Sequence, residues 1–125
     1  MRAVTIKDGL AALDDEMSEV ALVTVRKAAE RGNTLAQTLL GAIYSYGKGV
    51  PQDYQQAASW YRKAAAQGSA EAQFNLGNLY RYGRGVPPDS QEAVSWYRKA
   101  GEQGYAEAQF NLGIMYATGA GIAGT

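Results

Sequence analysis

Apolar and polar positions alternate along this chain in two helical rhythms, each closed by glycine. Between Ala70 and Tyr82, the residues Ala72, Leu76 and Tyr80 fall four apart and form one apolar stripe, as in a half-buried helix. Gly77 interrupts that stripe, and a glycine inside a helix costs about 1 kcal/mol relative to alanine. Its return as Gly41 and Gly113 predicts a packing reason, the close approach of a neighbouring helix. Gly83 and Gly85 then predict a helix end, because glycine tolerates the left-handed conformation of a C-terminal cap. Val86-Pro87-Pro88 reads as a rigid connector, and Asp89 or Ser90 as the N-cap of a second helix. That helix carries its stripe on Ala93, Trp96 or Tyr97, and Ala100, and Gly104 closes it.

The same pair of helices recurs. Gly68-Ser69-Ala70-Glu71-Ala72-Gln73-Phe74-Asn75-Leu76-Gly77 returns from Gly104 to Gly113, an offset of 36 residues (68 to 104). One step earlier, Gly32, Ala36, Gln37, Leu40, Gly41 and Tyr44 hold the matching places. Val50-Pro51, Asp53, Gln55, Ala57 and Ser59-Trp60-Tyr61-Arg62-Lys63-Ala64 likewise return from Val86 to Ala100. The chain therefore divides into a cap and degenerate first unit (1–31), two full units (32–67 and 68–103) and an incomplete one (104–125). A single unit cannot bury its apolar face, so neighbours must stack on it.

These residues resemble the Sel-one-like repeat family, a branch of the tetratricopeptide superfamily. The family pattern falls on Ala72, Leu76-Gly77, Tyr80, Gly83-Arg84-Gly85-Val86, Asp89, Ala93, Trp96-Tyr97, Ala100 and Gly104, and it covers roughly Ala21 to Ile122. The resemblance implies an all-α fold, an α/α superhelix of stacked antiparallel helix pairs. It also implies adaptor or assembly roles, common in bacteria, with no particular partner. The opening unit departs from the pattern: Met1 to Glu16 has no Leu-Gly-x-x-Tyr, and a capping helix around Gly9 to Met17 is expected in its place.

Composition narrows the chemistry. Twelve Lys and Arg balance twelve Asp and Glu, which argues against a general nucleic-acid or membrane-surface binder. There is no Cys and no His, so the usual thiol nucleophile, general base and metal ligands are missing. No apolar run approaches the roughly 20 residues of a membrane span. Met1 to Glu19 has no apolar signal core, so the chain as given reads as cytoplasmic, or as periplasmic or secreted where a signal has been removed.

Each chemical motif has a plainer rival reading. Trp60-Tyr61 and Trp96-Tyr97 could stack on sugars or bases, but aromatics recurring at helical spacing against alanines read first as core between units. Gly47-Lys48-Gly49 and Gly83-Arg84-Gly85 lack the Gly-Lys-Ser/Thr ending and the preceding strand of a phosphate loop, and read as turns. Arg26-Lys27, Arg62-Lys63 and Arg98-Lys99 could stack into a basic edge, or simply complement the helix C-terminal dipole. Glu71 and Glu107 occupy equivalent places and could form a carboxylate pair, but carboxylates at helix starts are expected for dipole reasons alone. The reading is a non-enzyme, with no cofactor and no metal.

In tetratricopeptide-like arrays the first helices line a concave groove. Carrying that over by position puts Phe74, Asn78, Arg81 and Tyr82 towards the groove. Their counterparts are Thr38, Ala42, Ser45 and Tyr46 in the unit before, and Phe110, Ile114, Ala117 and Thr118 in the unit after. The core positions stay fixed while these vary, as a common scaffold with a ligand-specific lining would show. The expected function is a scaffold that binds a protein or peptide in this groove, with no nucleic acid or membrane partner. The alternatives are a module for small molecules or cell-wall fragments, and a purely structural segment of a larger protein. The incomplete last unit exposes apolar surface, some of Leu112, Met115 and Tyr116, which leaves three outcomes: a fragment of a longer array, a frayed end, or two copies covering each other's ends, with a fragment that self-associates as a homodimer through this end favoured.

Overall fold

The computed structural model describes residues 5–7, 9 and 18–120. Six helices follow one another: α1 (Ser18–Glu30), α2 (Thr34–Tyr46), α3 (Tyr54–Ala66), α4 (Ala70–Tyr82), α5 (Ser90–Glu102) and α6 (Ala106–Thr118). Each is 13 residues long. No strand occurs among the described residues. Residues 6–7 and 9 are helical, and most of the capping helix expected around Gly9 to Met17 lies outside the described residues.

Local chemistry sets the helix ends. The side chains of Asn33, Asp53, Ser69 and Asp89 each accept a backbone N–H of the first turn of the helix that follows. Asp89, not Ser90, is therefore the cap of α5. At the C-termini of α2, α4 and α6, Gly47, Gly83 and Gly119 are left-handed, at φ 70°, 64° and 73°. There the N–H groups of Gly83 and Arg84 both return to the Leu79 carbonyl. The connectors fold back as well: the amides of Asp53 and Asp89 donate to the carbonyls of Tyr44 and Tyr80, both at 2.9 Å.

The helices stack as antiparallel pairs, α2 with α3 and α4 with α5. Each first helix also packs on the second helix of the preceding unit. Three apolar clusters result, one per layer, joined through Tyr44 and Tyr80. Ile6 belongs to the first of them, and Gly9 lies over the side chain of Leu39. Gly41 and Gly77 are where the second helix closes on the first: a Cβ there would stand 2.6 Å from the Tyr61 ring and 2.8 Å from the Tyr97 ring. Tyr61 and Tyr97 are thus core, as is Trp60, whose ring is capped by Lys63 at 4.5 Å. Lys99 caps the half-buried Trp96 in the same way.

Polar bonds repeat with the helices. Gln37, Gln73 and Gln109 each donate to a carbonyl near the end of the preceding second helix: Ala29, Ala65 and Gly101. Gln67 and Gln103 in turn donate to Gln37 and Gln73. Arg26, Arg62 and Arg98 each reach the hydroxyl of Tyr44, Tyr80 and Tyr116, always 18 residues on, at 2.6–2.8 Å. The recurrent arginines therefore tie successive helices together, and Arg62 and Arg98 do so while remaining exposed.

At the C-terminal end the expected exposed surface holds for Tyr116, 46% exposed, and for half-buried Leu112. Met115, the third of these residues, is 1% exposed and packs in the core formed by α5 and α6.

Candidate functional site

The first helices of three units line one groove. Its larger part is a cavity of about 440 Å³ bounded by Ala42 and Tyr46 of α2, by Glu71, Phe74, Asn75 and Asn78 of α4, and by Tyr105 and Glu107 at the start of α6. Tyr61, Ile6 and Lys7 complete its lining. A second cavity of about 180 Å³ shares Tyr46, Tyr61, Asn75 and Asn78 and extends to the connectors through Gln52, Tyr54 and Arg84. The groove is therefore acidic where α4 and α6 begin and basic at the connector, where the Arg84 guanidinium lies 5.6 Å from the Tyr54 ring and 5.3 Å from the Tyr82 ring.

On α4 the lining residues Glu71, Phe74, Asn75 and Asn78 are spaced three, four and seven apart, the period of one helical face. That face sits a turn nearer the N-terminus than the one expected from sequence. Phe74, Asn78, Ala42, Ser45 and Tyr46 do line the groove. Arg81 and Tyr82 line neither cavity and pack on each other, with the guanidinium 5.3 Å from the ring. Thr38 is 2% exposed, and its hydroxyl is taken up by the Thr34 carbonyl and the Ser69 hydroxyl, both at 3.0 Å. Phe110 is 70% exposed and, like Ile114, lines neither cavity. Their α4 counterparts, Phe74 and Asn78, line the groove across from the start of α6, and no described helix follows α6 to face Phe110 and Ile114 in the same way.

Sequence reasoning missed Tyr61, Asn75, Tyr105 and Arg84. Tyr61 serves core and groove at once, its ring against Gly41 and its edge in both cavities. Tyr105 carried a usable signal. It replaces the capping residues Asn33 and Ser69, and α6 accordingly has no side-chain cap bond. The ring instead packs 5.2 Å from Phe74, which itself lies 5.8 Å from Tyr97. The substitution exchanges a helix cap for an aromatic wall.

Polar groups in the groove are held in place. Asn78 accepts from the Tyr97 hydroxyl and from Asn111 at 3.4 Å. Burial pushes the Tyr61 phenol up, and it lifts Tyr105 to about 12, with the nearby glutamates adding to the shift. Both tyrosines are neutral hydrogen-bonding groups at any physiological pH. Glu71 is half-buried, and its carboxyl is raised above the usual range, first by burial and then by the Glu107 carboxylate. Among the described residues, no group of three or more His, Cys, Asp or Glu comes together as metal ligands would. None of the described helices is long and apolar enough to cross a membrane.

An array of capped helix pairs, glued by repeating Gln and Arg–Tyr bonds around a groove, is a repeat scaffold. The Sel1 repeat family model matches residues 34–69, 70–105 and 106–123, and the chain belongs to the Sel1-repeat family. It is similar to the crystal structure of c5321, a protective antigen present in uropathogenic Escherichia coli strains and displaying an SLR fold. The identity is 41% and the TM-score 0.83, over 94% of this chain and 27% of that one. It is also similar to a Sel1 repeat protein from Oxalobacter formigenes, at 38% identity and TM-score 0.82, over 94% of this chain and 48% of that one. The chain thus spans between about a quarter and a half of the length of these relatives. No curated protein matches it. Proteins of this family generally mediate protein–protein interaction, on a fold that is typically a non-catalytic scaffold.

Proposed function

We propose that this chain is a scaffold that binds a segment of a partner protein in the groove along α2, α4 and α6. The observation that carries the reading is the continuity of the two cavities across three units. Their lining includes side chains that the scaffold does not need, such as Tyr46, which is 67% exposed. Amide, phenol and carboxylate groups alternate there with aromatic rings, a mixture suited to the backbone and side chains of an extended peptide. Aromatic residues are also the usual anchors of a protein interface.

The test is capture of partners from a bacterial lysate by the purified chain, run beside a variant carrying Tyr46→Ala and Asn75→Ala. Neither change removes a core side chain, so the variant should keep its helical circular dichroism. A partner held by the parent chain and lost by the variant is the expected result. A partner held equally by both would move the binding surface away from the groove.

A further inference from the structure

The acidic half of the groove identifies the kind of group it receives. We propose that it takes a cationic side chain, a lysine or arginine of the partner segment, between the carboxylates of Glu71 and Glu107. This inference rests on the groove reading above and names the chemistry of its ligand.

Glu71 and Glu107 come from adjacent units and line the same cavity. The influences on Glu71 are its burial and the like charge of Glu107, and both disfavour its carboxylate. Lys7 lines the same cavity, so its lining carries two carboxylates against one ammonium. Two carboxylates lining one partly desolvated space favour a cation between them. A cation entering there meets two negative charges, which outweigh the single Lys7 ammonium and the partial positive ends of α4 and α6 taken separately.

The walls suit the rest of such a side chain. Tyr46, Phe74 and Tyr105 offer aromatic surface to the methylenes, and their rings attract a cation electrostatically. The molecule uses this chemistry elsewhere, with Lys63 over Trp60 and Lys99 over Trp96, both at 4.5 Å. A helix dipole by itself explains an acidic residue in a first turn. Glu92 of α5 is such a case, exposed, with its carboxylate accepting from the Trp96 indole. Glu71 differs because it is half-buried, faces a second carboxylate and lines a cavity wide enough for a side chain.

The probes are the blocked amino acids N-acetyl-arginine methylamide and N-acetyl-lysine methylamide, with N-acetyl-citrulline methylamide as the neutral isostere of arginine. They are titrated into the full chain and followed by the backbone amide resonances of α4 and α6. The expected result is a saturable shift centred on Glu71, Asn75 and Glu107, about tenfold tighter for the cations than for citrulline and weakened by salt. Glu71→Gln combined with Glu107→Gln should abolish that preference. Should the double variant fail to fold, Glu107→Gln alone, at an exposed position, should reduce it severalfold. Equal responses to arginine and citrulline, a preference that survives the glutamine variants, or no shift at the acidic end would each overturn the inference. A captured partner that is lost by Tyr46→Ala with Asn75→Ala but kept by the glutamine variants would leave the groove reading standing and remove only the cation.

Discussion

Replacing Gly77 by alanine should weaken the fold, and the same replacement at Gly113 should strengthen it. Both glycines occupy the same place in their helices, α4 and α6, so the intrinsic gain in helix propensity is common to the two, about 1 kcal/mol. They differ in what a Cβ would meet. At Gly77 it would stand 2.8 Å from two carbons of the Tyr97 ring, short of an ordinary carbon contact by roughly 0.7 Å. That ring is fully buried, packed near Phe74 and tethered through its hydroxyl to Asn78, so it has little room to give. Overpacking of this kind costs about 1–3 kcal/mol and offsets or exceeds the propensity gain. At Gly113 no atom of the described residues lies within 4 Å of the added methyl, and the gain stands alone. The two variants should therefore separate by about 1–3 kcal/mol, which is several degrees in melting temperature for a chain of this size. Thermal and urea unfolding followed by circular dichroism would measure it. Equal rises for both variants would refute a packing role for the helical glycine, and with it the account of how the second helix closes on the first.

Three other outcomes follow from the same geometry. Gln73 is buried, donates to the Ala65 carbonyl and accepts from Gln103, so Gln73→Ala should cost about 1–3 kcal/mol in urea unfolding; Arg62→Ala, which removes one exposed bond to Tyr80, should cost less than about 1 kcal/mol. Because the Glu71 carboxyl is raised in the fold, the native state holds its proton to higher pH than the unfolded chain does, and this group's contribution to stability falls as pH climbs through and beyond the usual carboxyl range near 4.5. Glu71→Gln should therefore raise the melting temperature at neutral pH and leave it unchanged below about pH 4, and a benefit equal at both would show that charge is not the cause. Over Gly113, the slot that Tyr61 and Tyr97 fill above Gly41 and Gly77 is open among the described residues, with Leu112 and Tyr116 beside it. A second copy covering this end should give a mass that rises with concentration in light scattering and is lost in Gly113→Trp, whereas a constant monomer mass would exclude the dimer.

Much of this molecule was legible before any coordinates, because its determinants are local. Helix ends follow from Asp53, Ser69 and Asp89 accepting amides in their own first turns, and from Gly47 and Gly83 turning left-handed. The stripes on Ala72, Leu76, Ala93, Tyr97 and Ala100 say which face is buried, and their return after 36 residues says that the pairs stack. Even the close approach at Gly41 and Gly77 could be expected from the cost of a glycine inside a helix. The groove was another matter. Periodicity tells which residues share a face, but the angle between successive units decides where that face opens. Here the opening lies a turn closer to the starts of α4 and α6, so Glu71, Asn75 and Tyr105 line it while Arg81 and Tyr82 do not. Arg62 and Tyr80 lie on different helices, so the bond between them and its two equivalents could not be read from the period of either helix. Local free energies thus wrote the helices into the sequence. The meeting of Glu71 with Glu107 beside Phe74 and Tyr105 exists only once packed units bring distant positions to one surface and take them partly out of water.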